Sequence, residues 1–190
     1  MTRTYQKKKR LEREAETRQR IVEATVALHT SVGPARTSIA AVARQAGVQR
    51  HTVYAHFPDE PSLFRACGAH WALLHPFPDE ASWSRVADPH RRLQRALREV
   101  YRWYEEVEPD VALFIRDAAS SPSIAAQWEE WAGGLRRLAD SLAAPLGGSR
   151  AVRAAVGHAL AFETWRSLVR HEGLTTERAV RAMSSFVENV

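Results

Sequence analysis

Cysteine is almost absent from this chain of 190 residues, in which Cys67 is the only one. One thiol excludes a disulfide framework within the chain and any zinc or iron–sulfur site with several thiolate ligands. No stretch reaches the ~18 consecutive apolar residues that a membrane span needs. No apolar segment follows the basic amino terminus, so a secretory signal is not expected and the expected location is the cytoplasm.

Strand-like alternation of useful length is also missing, whereas apolar residues recur at helical spacing almost throughout. Apolar residues make up 45% of the chain and charged residues 26%, which suffices for a sizeable core in one large or two small domains. We predict an all-α fold of about nine helices. Their approximate spans are 19–32, 39–46, 49–57, 61–75, 89–107, 109–119, 122–144, 150–171 and 176 onward.

Positive charge is concentrated at one end of the chain. Residues 1–58 contain eleven Lys or Arg against four Glu, a net charge of +7, and residues 59–190 contain sixteen Arg against eighteen acids, a net charge of −2. A concentrated positive field favours a polyanionic partner, and nucleic acid is the first candidate. A tail that only aids solubility is one alternative. An anionic membrane surface is another, disfavoured because the basic arm at residues 1–17 lacks an apolar face.

Two short predicted helices with a glycine-centred turn lie inside this basic segment. Ala43 is at the predicted crossing of their axes, where a small side chain allows close approach. Gly47 lies in the turn, where a positive φ can be required. The small core would consist of Val53 between the helices, with Val42, Val48, Phe57, Ile21 and Leu28 around it. This spacing predicts a helix-turn-helix, and a generic helical hairpin is the alternative.

The segment from Thr37 to Phe57, TSIAAVARQAGVQRHTVYAHF, narrows this prediction. Over about residues 18–65 the chain resembles the DNA-binding domain of the TetR family of transcriptional repressors. The matching residues are Thr37-Ser38, Val42-Ala43, Ala46-Gly47-Val48, Thr52-Val53-Tyr54, His56-Phe57 and Leu63. The family often has a phosphate-binding lysine between the His-Phe pair and the leucine, and Glu60 stands there in this chain. We expect the basic arm to compensate for that missing contact.

The resemblance implies that the third helix enters the major groove of double-stranded DNA by its amino-terminal end. Arg50 is the first candidate for base reading, because arginine bound to guanine is the commonest specific contact, and Gln49 and His51 follow. The predicted phosphate contacts are Thr37, Ser38, Thr52, Tyr54 and His56, with packing as the alternative for Tyr54 and a helix-capping role for His56. The arm residues Lys7, Lys8, Lys9 and Arg10 either lie over phosphates, which we favour, or enter the minor groove.

The predicted domains are a flexible basic arm at 1–17, a DNA-binding domain at 18–58 and a helical domain for ligand binding and dimerisation at 59–190. The resemblance implies a small-molecule effector, and an aromatic cavity suits an apolar or aromatic one. The candidate lining residues are Trp71, Trp103, Tyr104, Phe114, Trp128 and Trp131, for which ordinary core packing is the alternative. Arg116 and Asp117 are candidates for polar recognition of the ligand or form a solvated pair.

Residues 152–168 are apolar around much of the helix, so this helix is either central in a core or pressed against a partner. We interpret the last two predicted helices as the seam of a homodimer. The candidate interface residues are Val156, Ala159, Leu160, Phe162, Met183 and Phe186. A symmetric dimer places two recognition helices about one DNA turn apart, ~34–36 Å, and predicts a pseudo-palindromic operator.

We therefore expect a ligand-responsive transcriptional repressor with no cofactor and no metal. A DNA-binding regulator without a small-molecule sensor, or one that activates transcription, is the first alternative. A helical enzyme is the second: Cys67 and His70 share a helix face, but they supply only two metal ligands. No nucleophile elbow, phosphate loop or paired-carboxylate motif accompanies them in the sequence.

Overall fold

The computed structural model describes the backbone of residues 2–190 and the side chains of residues 5–190. Within this part of the chain there are ten α-helices and no strand, which confirms the all-α prediction. The helices are α1 (Thr2–Ser31), α2 (Ile39–Ala46), α3 (Arg50–His56), α4 (Glu60–Leu74), α5 (Glu80–Ser84), α6 (Pro89–Ala118), α7 (Pro122–Ala143), α8 (Arg150–Leu160), α9 (Phe162–Arg166) and α10 (Thr176–Glu188).

The chain forms two compact units. The first comprises the chain up to Pro76 together with Pro109–Trp128, and the second comprises Phe77–Glu108 and Glu129–Val190. Helices α6 and α7 therefore each contribute one end to each unit. Helix α4 packs with α1, α2 and α3, because Leu63 of α4 lies in their core. The predicted functional boundary after residue 58 stays a prediction.

Helices α1 to α4 share one apolar core. Val53 of α3 is completely buried and Ala43 of α2 nearly so, as the helix-turn-helix spacing predicted. The buried members are Ile21, Val22, Ala24, Val42, Ala43, Ala46, Val53, Phe57 and Leu63, with Leu28, Ile39, Val48 and Ala66 packed against them. Burial of these side chains holds α3 against α2 and leaves the opposite side of α3 to solvent.

The turn between α2 and α3 has the predicted backbone. Gly47 ends α2 with φ 66° and ψ 39°, in the left-handed region, and its N–H donates to the carbonyls of Ala43 and Arg44. At the other end of α2, the Ser38 hydroxyl accepts the N–H of Ala41 at 3.2 Å. These two caps satisfy backbone groups that a helix of eight residues otherwise leaves to water.

The first helix begins much earlier than predicted, at Thr2 instead of near Gln19. The segment has no apolar stripe, but pairs of opposite charge one turn apart support an exposed helix. Lys8 and Glu12 approach to 3.9 Å, and Arg10 and Glu14 to 2.9 Å. The basic arm is therefore a helical extension of the DNA-binding domain, and its flexibility stays a prediction.

The predicted helix boundary at Pro109 is wrong, because α6 runs through this proline from Pro89 to Ala118. Proline inside a helix removes one hydrogen bond and crowds the preceding turn, at a cost of about 3 kcal/mol. Val107 and Val111, on the two sides of Pro109, are both buried. Side-chain burial along α6 outweighs this local cost.

The predicted single helix over 150–171 is broken at Ala161, whose backbone is extended at φ −67° and ψ 137°. Two buried tyrosines compensate the break within the second unit. The hydroxyl of Tyr101 donates to the carbonyl of Ala159, and that of Tyr104 to the carbonyl of Leu160, each at 2.7 Å. Buried tyrosine hydroxyls require partners, and these carbonyls supply them.

We expect Gly47→Ala to lower the free energy of unfolding by about 1 kcal/mol, because an L side chain is strained in the left-handed region. The space around Gly47 is open, so no clash adds to this cost. Gly47→Asn should lose less, since asparagine tolerates this conformation. Urea unfolding followed by circular dichroism measures both. Gly157→Ala is the control: Gly157 lies inside α8, where an added Cβ meets Ala139 at an ordinary 3.8 Å. Equal losses for alanine and asparagine at position 47 would contradict the explanation.

Candidate nucleic-acid interface

The amino-terminal end of α3 faces solvent. Gln49 is the N-cap of α3, and Arg50 and His51 are its first two residues. All three are exposed, while Val53 and Phe57 anchor the other side of the helix in the core. An exposed helix end on a fixed base is the geometry that groove reading requires. That these three residues touch base edges stays a prediction.

The predicted phosphate contacts on α3 differ in exposure. Tyr54 is 48% exposed, which disfavours the packing alternative. Thr52 and His56 are half-buried, one turn apart on the same side of α3. The residue that caps the end of α3 is Phe57, whose N–H donates to the carbonyl of Val53. His56 is thus the last residue of the helix.

The two hydroxyls before α2 have different hydrogen bonds. Thr37 Oγ1 donates its proton to the carbonyl of Gly33 at 2.9 Å. Ser38 Oγ accepts the N–H of Ala41, so its own proton stays free to reach a phosphate oxygen. Of this predicted pair, Ser38 is thus the one whose hydroxyl proton is not used within the chain, and contact of either residue with DNA stays a prediction.

Glu60, at the position where the family often has lysine, is the exposed first residue of α4. The preceding Asp59 caps the helix by accepting the N–H of Ser62 at 2.7 Å, and this bond lowers the pKa of the Asp59 carboxyl. Acidic residues in the first turn interact favourably with the helix dipole. The acidic pair therefore stabilises the start of α4.

A groove of about 520 Å³ lies between the amino-terminal half of α1 and α3, both in the first unit. It brings together residues that are far apart in the sequence: Gln6, Lys9, Arg10, Arg13, Glu14 and Thr17 from α1, and Thr52 and His56 from α3. Two of the four predicted arm residues, Lys9 and Arg10, are in this lining. Arg13 and Thr17 are not among the residues predicted from the sequence, and helical spacing from Lys9 identifies them once the arm is known to be a helix.

The carboxyl end of α6 holds the turn that precedes Thr37 and Ser38. The Asp117 carboxylate is 5% exposed and accepts the N–H of Ala35 at 3.0 Å. Arg116 donates to this carboxylate from Nε at 2.7 Å and from Nη2 at 3.0 Å, and Nη2 also donates to the carbonyl of Val32 at 3.0 Å. Hydrogen bonding from Arg116 lowers the pKa of Asp117. The solvated-pair alternative is therefore wrong for Asp117.

Gly33 allows this approach. Its φ is 95°, and a Cβ at this position would lie 2.2 Å from Arg116 Nη2 and 2.5 Å from Asp117 Oδ2. A side chain larger than hydrogen would push the arginine and the carboxylate away from the turn. We call Arg116, Asp117 and the residues 32–35 that they bind the α6 clamp.

Cys67 contacts His29, not His70, which the sequence suggested as its partner. Its Sγ lies 3.3 Å from Nδ1 of His29, inside the first unit. Burial raises the pKa of the Cys67 thiol to about 12 and lowers that of His29 to about 4, so both are neutral at pH 7. Over residues 5–190, no group of three or more His, Cys, Asp or Glu is arranged to hold a metal ion.

The six predicted ligand residues divide between the two units. Trp71, Phe114 and Trp128 are in the first unit, where the indole N–H of Trp71 donates to Asp110 at 2.7 Å. Trp103, Tyr104 and Trp131 are together in the second unit. There Tyr104 lies 5.6 Å from Trp103 and 6.4 Å from Trp131, measured between ring centroids. Tyr104 is fully buried and also contacts Phe162 and Trp165. It has the environment of a core residue, and its contact with a ligand stays a prediction.

The structure corrects four of the six predicted interface residues. Val156, Ala159, Leu160 and Phe162 are buried within the chain itself, so they have no surface left for a partner chain. On α10, Phe186 is 43% exposed and Met183 is partly exposed. The ring of Phe186 lies against that of His158 on α8, with 5.9 Å between centroids. These two α10 residues stay predicted interface residues.

Comparisons with known proteins agree with this geometry. Residues 21–67 match the family model described as bacterial regulatory proteins, tetR family. No curated protein matches the chain. Among solved structures, a TetR-like transcriptional regulator from Rhodococcus sp. RHA1 has 20% sequence identity and a TM-score of 0.61, over 90% of this chain and 93% of that one.

Two further solved structures are also similar to this chain. NalD, the secondary repressor of the MexAB-OprM multidrug efflux pump in Pseudomonas aeruginosa, has 19% identity and a TM-score of 0.59, over 91% of this chain and 96% of NalD. The multidrug binding protein EbrR, in complex with imidazole, has 24% identity and a TM-score of 0.58, over 89% of this chain and 93% of EbrR.

The resemblance found in the sequence is thereby confirmed. Residues 21–67 match the DNA-binding domain of the tetR family, and the chain has the fold of the TetR-family structures compared above. Within the described residues, no helix is long and apolar enough to cross a membrane.

Asp117→Asn should weaken the α6 clamp, because the amide loses the charge and one acceptor oxygen. We expect the free energy of unfolding to fall by about 1–3 kcal/mol, the usual cost of disturbing buried hydrogen bonds. Folding lowers the pKa of Asp117 below its ordinary value of 3.8, so its stabilisation is complete above that pH and is lost as pH falls through the folded pKa. Urea unfolding at about pH 7, 5 and 3 should therefore show a difference from wild type that shrinks only at the lowest pH.

The matched control is Asp140→Asn. Asp140 is 65% exposed and lies 3.8 Å from Arg153, an exposed pair that contributes little to stability. If Asp140→Asn lowered the free energy of unfolding as much as Asp117→Asn, the stabilising role of the α6 clamp would be contradicted. An effect of Asp117→Asn that persisted unchanged to about pH 3 would also contradict it.

Proposed function

We propose that the chain acts as a homodimeric repressor that binds a pseudo-palindromic operator and is released by a small apolar or aromatic molecule. The observation that carries this proposal is the exposed end of α3, with Arg50 at its tip and Val53 fixed in the core. The role is regulatory and not catalytic. The comparisons support this role, since the related structures are those of transcriptional regulators.

Base reading is assigned to the tip of α3. Arg50 can donate two hydrogen bonds to guanine, and Gln49 and His51 lie next to it for adjacent bases. Contacts to phosphates are assigned to Ser38, Thr52, Tyr54 and His56. Thr37 stabilises the turn before α2 through its hydrogen bond to the carbonyl of Gly33. The phosphate contacts set the position of α3 in the groove without selecting a sequence.

Dimerisation is assigned to the exposed side of α10. Phe186 and Met183 offer apolar surface there, and a twofold axis would bring each onto its counterpart in a second copy. Two recognition helices related by such an axis read two inverted half-sites about one DNA turn apart.

Release by a ligand is supported by two features. Aromatic rings are concentrated on α4, α6 and α7, and EbrR and NalD, which share the fold, are a multidrug binding protein and a repressor of a drug efflux pump. The α6 clamp supplies the coupling, because movement at the end of α6 changes the turn that carries Ser38. A ligand that favours the released form by ~1–3 kcal/mol gives a useful response.

Selection of binding sites from random duplex DNA by the purified chain should recover inverted half-sites about 10–10.5 base pairs apart, centre to centre. Arg50→Ala should then lose about 1–3 kcal/mol of discrimination at one base pair of each half-site. Fluorescence anisotropy on the selected duplex and its single-base variants measures this loss. Arg44→Ala removes the same charge from an exposed position on α2. It should change the affinity for all duplexes equally or not at all. Uniform weakening by Arg50→Ala would remove Arg50 from base reading.

A screen of small aromatic compounds should yield ligands that quench tryptophan fluorescence and weaken operator binding at least about fivefold. Trp131→Leu should reduce the affinity for such a ligand and leave operator binding without ligand unchanged. Compounds that bind the chain without changing its affinity for the operator would favour the alternative, a regulator that has no small-molecule sensor.

A further inference from the structure

The face that α1 turns toward α3 is made of polar and basic side chains. Its residues are 6, 9, 10, 13, 14 and 17, which recur at intervals of three and one as on one side of a helix. Thr52 and His56 form the opposite wall of the groove. These two α3 residues are already assigned to phosphates, so the groove continues the surface that faces DNA.

Two cations in this groove are not neutralised. Lys9 and Arg13 have no ion-pair partner among residues 5–190. Arg10, by contrast, is held at 2.9 Å by Glu14, which accounts for the only carboxylate in the lining. Because Lys9 and Arg13 are one turn apart, their Cβ atoms lie ~5–6 Å from each other. The groove therefore presents two adjacent positive charges between walls that carry hydrogen-bonding groups.

The dimensions of a helix decide how this arm can meet DNA. An α-helix with its side chains is about 10–12 Å across, whereas the minor groove of B-DNA is about 6 Å wide. The major groove accommodates one helix, and α3 is assigned to it. A helical arm beside α3 therefore lies along the sugar–phosphate backbone and not inside a groove.

We propose that the groove between α1 and α3 holds a stretch of DNA backbone that flanks the half-site, with Lys9 and Arg13 each neutralising a phosphate. This inference rests on the proposed function and deepens it. The amino-terminal half of α1 acts as a rigid phosphate clamp, which takes over the contact that Glu60 does not make. Contacts of this kind strengthen binding to every sequence equally.

The double variant Lys9→Ala/Arg13→Ala tests the clamp, since alanine preserves the helix. The probes are a duplex selected from random DNA by the wild-type chain and a scrambled duplex of the same length. Each lost phosphate contact lowers the slope of log affinity against log salt by about 0.9, hence by about 1.8 per subunit and 3.6 for a dimer. At about 0.15 M salt the affinity should fall at least roughly a hundredfold, equally on both duplexes.

Arg85→Ala/Arg91→Ala is the matched control, because it removes the same charge from two exposed positions in the second unit, outside the predicted DNA-binding residues. It should leave the salt slope close to that of wild type. Ethylation interference on the wild-type complex should identify flanking phosphates whose modification no longer matters in the Lys9/Arg13 variant. Circular dichroism and thermal unfolding check that each variant is folded.

The possible results distinguish a failure of the phosphate contacts at Lys9 and Arg13 from a failure of the proposed function. Equal losses of DNA affinity for both double variants would indicate a diffuse positive field and not specific phosphate contacts at Lys9 and Arg13. A Lys9/Arg13 variant that is folded and binds like wild type would also overturn the phosphate clamp, while the proposed function stands. A wild-type chain that binds no duplex would overturn the proposed function itself.

Discussion

The burial of Val53 is the constraint on which the interface depends. This side chain has no solvent-accessible surface and lies in the core shared by α1, α2 and α4. A helix of seven residues is too short to be stable by itself in water, so α3 keeps its shape and direction only through this packing. The left-handed backbone at Gly47 lets the chain turn sharply enough for Val53 to reach that core. The tip at Gln49–His51 is exposed as a consequence, with its side chains free for another molecule.

Electrostatics organises the rest of the first unit around this frame. Some acidic and basic side chains neutralise each other within the chain. Asp117 pairs with Arg116, and Glu14 pairs with Arg10. Two cations without such partners among residues 5–190, Lys9 and Arg13, line the groove between α1 and α3. They contribute to the net charge of +7 of the first 58 residues, which favours a polyanionic partner. The α6 clamp binds the turn before Thr37 and Ser38 to the end of α6 that lies in the first unit.

Local sequence patterns predicted the parts of the fold in which neighbours along the chain decide the outcome. Ser38 before α2, Gly47 after it, and the spacing from Ala43 to Val53 are signals of this kind, and the structure contains each of them. The prediction at Pro109 was wrong because burial of Val107 and Val111 outweighs a local cost. The seam residues Val156 and Leu160 were misassigned for a related reason: an apolar face does not reveal whether it packs on its own chain or on another.

By itself the sequence determined the helix-turn-helix, the identity of the exposed tip of α3, and the sign of the charge beside it, because these follow from short-range spacing and composition. Only the tertiary structure decided the break at Ala161, the groove between α1 and α3, and the binding of Asp117 to the turn at Ala35. In each of these cases the partners are far apart in the chain, 58 residues for Tyr101 and Ala159 and 82 for Ala35 and Asp117. Hydrogen bonds and burial across such separations depend on how whole helices pack, and no local pattern encodes that packing.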